Sequence, residues 1–260
     1  MLSIKLKPFL TKSLIRLGHN NDGGYIVNNE ILDKSKTLLT FGLADEFSFE
    51  KDYNSLKPDN KIIVYDHTAT NSFWFKHFIN WFFHFVRNQK NFFRMFRYFK
   101  YLSFFKKKKV THYKTRVREH ANNIIDSISV KEIISKENIL PKETILKIDI
   151  DMDEYRILDD ILEFNFLSIL IEFTHTDLHM DKILYFLDKA KNYKIIHIHG
   201  NNFDSPDKNG NPIHLEITMS NKNYTQISDN NIDYKLPIEG LDFPGDSKNV
   251  EIPITFSSSQ

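Results

Sequence analysis

Cysteine is missing from all 260 residues, which excludes disulfides, thiolate metal sites and cysteine nucleophiles and fits a reducing compartment. Net charge is almost missing too. With 35 Lys and Arg against 34 Asp and Glu, the formal charge is +1, so no overall field draws the chain to a nucleic acid or a membrane. No window supplies the roughly 18 uncharged apolar residues of a membrane span. The opening "MLSIKLKPFLTKSLIRLG" is too broken by Lys, Pro and Arg to be the apolar stretch of a signal peptide. A cytoplasmic protein is expected, with the inner membrane face as its other candidate location.

A hydrophobic content of 41% is enough for one sizeable core. Short apolar runs fall at 37–42, 61–66, 111–117, 144–149, 167–173, 194–200 and 213–220. Most are separated by segments with helical spacing, the pattern of parallel strands joined by crossover helices. The last two are joined by "NNFDSPDKNGN", whose turn residues leave no room for a helix, so that pair should be antiparallel. The expected fold is α/β: a Rossmann-like, seven-stranded mixed sheet with its last strand antiparallel and helices on both faces. Residues 1–36 would form an N-terminal cap, 37–220 the domain and 221–260 a C-terminal tail. In such a sheet, ligands gather beyond the carboxyl ends of the strands.

Acidic residues are absent from one long stretch. Between His67 and Arg118 there are thirteen Lys or Arg and no Asp or Glu, and within it an insertion at 72–109 is crowded with Phe, Trp and Tyr. Two readings stand: amphipathic helices that pack their aromatics inward with the basic groups solvated, or a surface for a phosphorylated substrate or an anionic membrane.

Carboxylates concentrate instead in "ILKIDIDMDEYRIL", residues 145–158, where Asp149, Asp151, Asp153 and Glu154 follow an apolar strand pattern. A calcium loop would need glycine at its sixth position, which is Glu154. The Asp-x-Asp pairs are also those of metal-dependent glycosyltransferases. Asp151 and Asp153 are placed to cap the following helix. Capping leaves Asp149, at the strand end, unexplained.

The order of motifs offers another reading. "LKIDIDMDEYRIL" resembles the "KIDxEGxE" signature of FkbM-type S-adenosylmethionine-dependent O-methyltransferases. "RLGHNNDGGYIV" (16–27), "LLTFGLADEFSFEKDY" (38–53), "VYDHT" (64–68), "LIEFTH" (170–175) and "HIHGNNF" (197–203) resemble further segments of that family in the same order. The likeness runs over about 16–220. Two departures stand out: the family's Glu-Gly pair falls on Asp151 and Met152, and the turn after the first strand carries Gly42 alone rather than a G-x-G-x-x-G run.

The resemblance implies a class I methyltransferase fold and S-adenosylmethionine as cofactor. Asp66, ending the second strand, would accept the ribose hydroxyls. The backbone after Gly42 would face the cofactor carboxylate, Glu50 would take its amino group, and Asp22, Gly23, Gly24 and Tyr25 would form a flap or an ordinary hairpin turn. His175 is the first candidate for the base that takes the acceptor proton, Asp149 the second and His199 a third, with His197 expected in the core. Asp149 and Glu172 would alternatively share a Mg²⁺; no metal ligand set is otherwise evident. The expected partner is a sugar or glycan hydroxyl, phosphate-bearing acceptors included, in surface-glycan or nucleotide-sugar biosynthesis. No nucleic acid is expected, and peripheral membrane contact belongs to the second of the two readings of 72–109. The alternatives are an Asp-x-Asp glycosyltransferase and a non-catalytic membrane or nucleic-acid module.

Overall fold

In "TLLTF" alternate side chains point to opposite faces of a pleated strand, so Leu39 joins one core and Leu38 the other. The same period repeats along the neighbouring strands, and each core is then covered by helices. Residues 1–87, 96–122 and 124–257 are described by the structure, a computed structural model; residues 88–95 of the expected insertion lie outside them.

In chain order, a hairpin of β1 (Leu14–Leu17) and β2 (Tyr25–Asn28) leads to helix α1 (Asn29–Lys34). Then come β3 (Thr37–Phe41), α2 (Ser48–Leu56), β4 (Lys61–Tyr65), α3 (Asn71–Arg87), α4 (Arg97–Phe105) and β5 (Val110–Tyr113). Two short strands, β6 (Arg116–Val117) and β7 (Ser127–Ile128), pair with each other before α5 (Val130–Lys136). The rest runs β8 (Thr144–Ile148), α6 (Glu154–Leu162), β9 (Ser168–Phe173), α7 (Thr176–Lys189), β10 (Tyr193–Asn201) and β11 (His214–Asn221).

The main sheet has seven strands in the order β10-β11-β9-β8-β3-β4-β5. All are parallel except β11, which runs antiparallel to both β9 and β10. This is the Rossmann-like mixed sheet expected from the sequence. Of the seven expected strands, only the third differs appreciably: it stops at Tyr113, and Arg116–Val117 forms the separate β6.

One core lies between the sheet and α5, α6 and α7. The other is covered by the hairpin, α1, α2, α3 and α4. Within it Trp74 stacks on Tyr101 at 4.5 Å, and Phe47 on Phe104 at 5.8 Å. Residues 221–257, expected as a tail, pack into the domain. Ile232, Leu236, Ile252 and Ile254 are buried, and the Asn202 side-chain amide donates to the carbonyls of Asp246 and Asn249.

Candidate active site

Beyond the carboxyl ends of β3, β4, β8 and β9 lies a cavity of about 640 Å³, within the usual range for a small-molecule site. Its first wall is the turn after β3. Gly42 has φ +84°, and a Cβ there would overlap the carbonyl oxygen of Asp149, so only glycine lets this turn approach the end of β8. Asp66 fixes the same turn. Its Oδ2 accepts from the backbone N–H groups of Leu43 and Ala44 at 2.8 and 2.7 Å, and its Oδ1 accepts from the Thr68 N–H and hydroxyl, both at 2.6 Å. Burial works to raise this carboxyl, but the bonds from Thr68, Ala44 and Leu43 outweigh it and hold it below its ordinary value. Asp66 is on the cavity wall, with its oxygens occupied by its own loop. His67, Thr115, Arg116 and Arg118 continue this end.

The hairpin loop supplies the roof. Arg16 donates to the carbonyls of His19 and Asn21, both at 2.9 Å, and to that of Leu241 at 3.2 Å. A Cβ at Gly24 would collide with this guanidinium, and one at Gly23 with Glu46. Asp22 and Gly23 thereby reach the cavity, whereas Gly24 packs on Arg16. The Asp22 carboxyl is pushed up to about 6 by burial and by the charges of Asp149 and Glu216.

The far wall is a hydrogen-bonded chain of side chains. Ile145, Lys147 and Asp149 share a face of β8, and Leu170 and Glu172 share the corresponding face of β9. Tyr25, descending from β2, places its hydroxyl 3.1 Å from Asp149 Oδ2 and 3.2 Å from Glu172 Oε2. Asn201 donates to Glu172 Oε1 at 3.3 Å. Lys147 Nζ sits 3.7 Å from Asp149 Oδ2 and 4.8 Å from the centre of the Tyr25 ring. Burial, together with the charges of Asp149, Glu216 and Asp22, drives the Glu172 carboxyl well above its ordinary value. Burial disfavours charge on Lys147, but Glu50, Asp149 and Glu172 outweigh that and keep it an ammonium.

Several expected residues lie elsewhere. Glu50 is fully buried behind this wall, accepting from Thr40 Oγ1 at 3.0 Å, because the inner face of α2 turns it toward Lys147 rather than the cavity. His175 is exposed and outside the lining; its left-handed backbone, φ +50°, places it at the start of α7 with its ring 5.8 Å from that of His214. His199 is buried between Glu216 (3.0 Å) and Glu251 (3.3 Å). Burial alone would lower its pKa, but these carboxylates push it to about 10, so it is a fixed cation and no free base. His197 is in the core as expected, 3.0 Å from Asp242. Asp153 does not cap α6; its carboxylate meets Arg116, Arg118 and Arg156 at 3.6, 3.2 and 3.4 Å. Asp151 and Met152 both have positive φ, a strained turn where the resembled motif has glycine second.

Lys147, Asn201, Asp204 and His214 also line the cavity and were assigned no role from the sequence. The signal for Lys147 was a lysine inside an apolar strand. His214 Nε2 lies 2.8 Å from Asp204 Oδ2 at the mouth; nothing local in the sequence joins residues ten apart across a turn.

Mg²⁺ fits this wall poorly. Glu172 is already bonded to Tyr25 and Asn201, Asp149 faces an ammonium and the same phenol hydroxyl, and among the described residues no three His, Asp or Glu converge as a metal site. A cationic nucleoside cofactor fits better: the cavity has room for it, and the side by Asp22 and Asp149 is acidic.

No family model matches the chain, and no curated protein does. Among solved structures it is similar to a fibrillarin pre-rRNA processing protein of Methanococcus jannaschii, with TM-score 0.40, 9% identity, and coverage of 82% of this chain and 87% of that one. It is also similar to the precorrin-6y C5,15-methyltransferase of Geobacter metallireducens (0.37, 12%, 73% and 84%) and to the Streptococcus mutans protein SMU.1697c in complex with SAH (0.40, 10%, 74% and 94%). At these scores the likenesses carry no weight for residues or reaction. The fold assignment stands on the strand order.

Proposed function

We propose that the chain is an S-adenosylmethionine-dependent O-methyltransferase of the FkbM type that acts on a sugar or glycan hydroxyl. The observation that carries this reading is the strand order, with one antiparallel strand second from the edge, and an acid-walled cavity at the carboxyl ends of β3, β4 and β8. When bound, S-adenosylmethionine would supply an electrophilic methyl group on a positively charged sulfur. Asp22 would face its cationic end, Asp149 would face the acceptor, and His67, Thr115 and Arg116 would flank the nucleoside. Asp66 would act on the cofactor through the turn that it shapes.

Asp149 is the group that orients the acceptor hydroxyl and receives its proton as the new carbon–oxygen bond forms. The Tyr25 hydroxyl lies between the two carboxyls and can donate to Asp149 Oδ2 or to Glu172 Oε2, 3.1 and 3.2 Å away, which links the acceptor-facing Asp149 to the buried Glu172. Lys147 sits beside Asp149, its Nζ 3.7 Å from Oδ2. Beyond Asp149 the cavity offers Thr174, Asn201, Asp204 and His214 beside an exposed Phe203, a mixture of polar groups and one aromatic face that suits a polyol ring. The Asp-x-Asp alternative finds less support, because Asp153 is taken up by three arginines and Asp149 by Lys147 and Tyr25.

The test is methyl transfer from labelled S-adenosylmethionine to a panel of nucleotide sugars, oligosaccharides, catechols and amines, read by mass spectrometry. Methyl ethers on the sugars are expected. Transfer to amines or catechols alone would refute the sugar assignment, and transfer to none, with no cofactor binding, would refute the enzyme class.

A further inference from the structure

Helix α3 carries apolar residues on two sides. Trp74 and Trp81 face inward and are buried, yet Phe75, Ile79, Phe82 and Phe83, spaced as one helical stripe, face solvent with Phe75 and Phe83 at 59% and 63% exposure. The stripe continues onto α4: Phe78 meets Phe99 edge to face at 6.0 Å, and Phe99 is 54% exposed. A soluble surface rarely leaves so many large apolar groups together without a use.

Charge says which use. Lys76, Lys100, Lys106 and Lys108 are exposed on these helices and their connection to β5, and among the described residues none of the four is in an ion pair; Arg97 and Lys109 are the basic residues of α4 and the following turn that are. Beside the stripe a cleft of about 730 Å³ is lined by Phe96, Phe99 and Phe104, with Lys51, Lys100 and Lys107 around them. Its phenylalanines suit acyl carbon and its lysines suit phosphate. No helix among the described residues is long and apolar enough to cross a membrane.

We infer that the outer face of α3 and α4 docks the protein flat on an anionic lipid bilayer, the phenylalanines entering the interface and the lysines meeting acidic headgroups. A second copy is a poorer occupant, because two such faces would bring lysine against lysine. Arg97 ties α4 to Asp45, at 3.0 Å, and to Glu46, both of which line the cavity, so the docked face and the reaction cavity share a wall. The inference is independent of methyl transfer.

The test is flotation of the full chain with phosphatidylcholine vesicles, with and without a minority share of phosphatidylglycerol. Recovery with the anionic vesicles is expected to exceed that with the neutral ones by at least about tenfold and to weaken as salt rises. Phe75→Ser/Phe82→Ser/Phe83→Ser and, separately, Lys100→Glu/Lys106→Glu/Lys108→Glu should each reduce recovery by at least about tenfold while melting like the wild type. Equal recovery on neutral vesicles, no recovery on either, or variants that float unchanged would overturn the inference. So would a dimer that the phenylalanine variant dissociates, or oligonucleotide binding that either variant abolishes, in a chain that fails to float.

Discussion

The two ends of the cavity neutralise buried acids in different ways. At the end of β4, Asp66 is satisfied by backbone amides and a threonine of its own loops, donors that cannot move without unfolding the turn. At the ends of β8 and β9, Asp149 and Glu172 share the Tyr25 hydroxyl, with Lys147 beside Asp149 and Asn201 donating to Glu172, partners that are all side chains. The first arrangement holds a carboxyl below its ordinary pKa, and in the second burial and neighbouring acids drive Glu172 well above its own. Structure is built at one end and chemistry is kept possible at the other.

Substitutions separate the two ends. The largest effect should come from the scaffold behind the end that carries Asp149 and Glu172. His199→Gln leaves Glu216 and Glu251 without their buried cation and should cost about 3 to 5 kcal/mol in chemical denaturation at neutral pH. Because folding raises the His199 pKa above its unfolded value, to about 10, its contribution is full below about pH 6.5 and is lost as pH rises toward 10. The stability gap between variant and wild type should therefore narrow across that range; a constant gap would mean that the histidine is not charged.

Asp149→Asn should come next, lowering kcat by roughly 10²-fold or more with near-normal melting and cofactor affinity. Full activity would return the acidic cluster to a purely structural role. Asp66→Asn should behave oppositely, destabilising the fold by about 1 to 3 kcal/mol as buried amides lose their acceptor, with cofactor affinity falling in step and kcat at saturation little altered. Asp66→Asn that melts normally but binds cofactor poorly would instead put this carboxylate directly on the ribose. The smallest effect should be a pH dependence. Folding raises Asp22 to about 6, so its carboxylate is present above that pH and lost below it; cofactor affinity should fall by about tenfold per unit at most as pH drops below 6, and Asp22→Asn should flatten the profile.

The sheet was legible because strict alternation and turn-rich connections leave few other arrangements; Gly42, Asp149 and Glu172 could be picked out as candidates because they stand at or near strand ends, and Asp22 because paired glycines follow it. What stayed hidden depends on packing between distant segments. Nothing near His199 announces Glu251, 52 residues on, and the helical position of Glu50 does not say that Lys147 waits beneath it. His175 looked like a base from its place after β9, but a single left-handed residue leaves it outside the cavity lining. Ile232, Leu236, Ile252 and Ile254 are too widely spaced to show a period, so a segment that closes the domain read as a tail.

The central claim is that this cavity binds S-adenosylmethionine, and calorimetric titration of the full chain tests it most directly. Binding at one site per chain is predicted, tighter above pH 6 than below it, retained by Asp149→Asn and independent of added Mg²⁺. Absence of heat with either S-adenosylmethionine or its demethylated product, together with saturable binding of a nucleotide sugar in the presence of Mn²⁺, would contradict it.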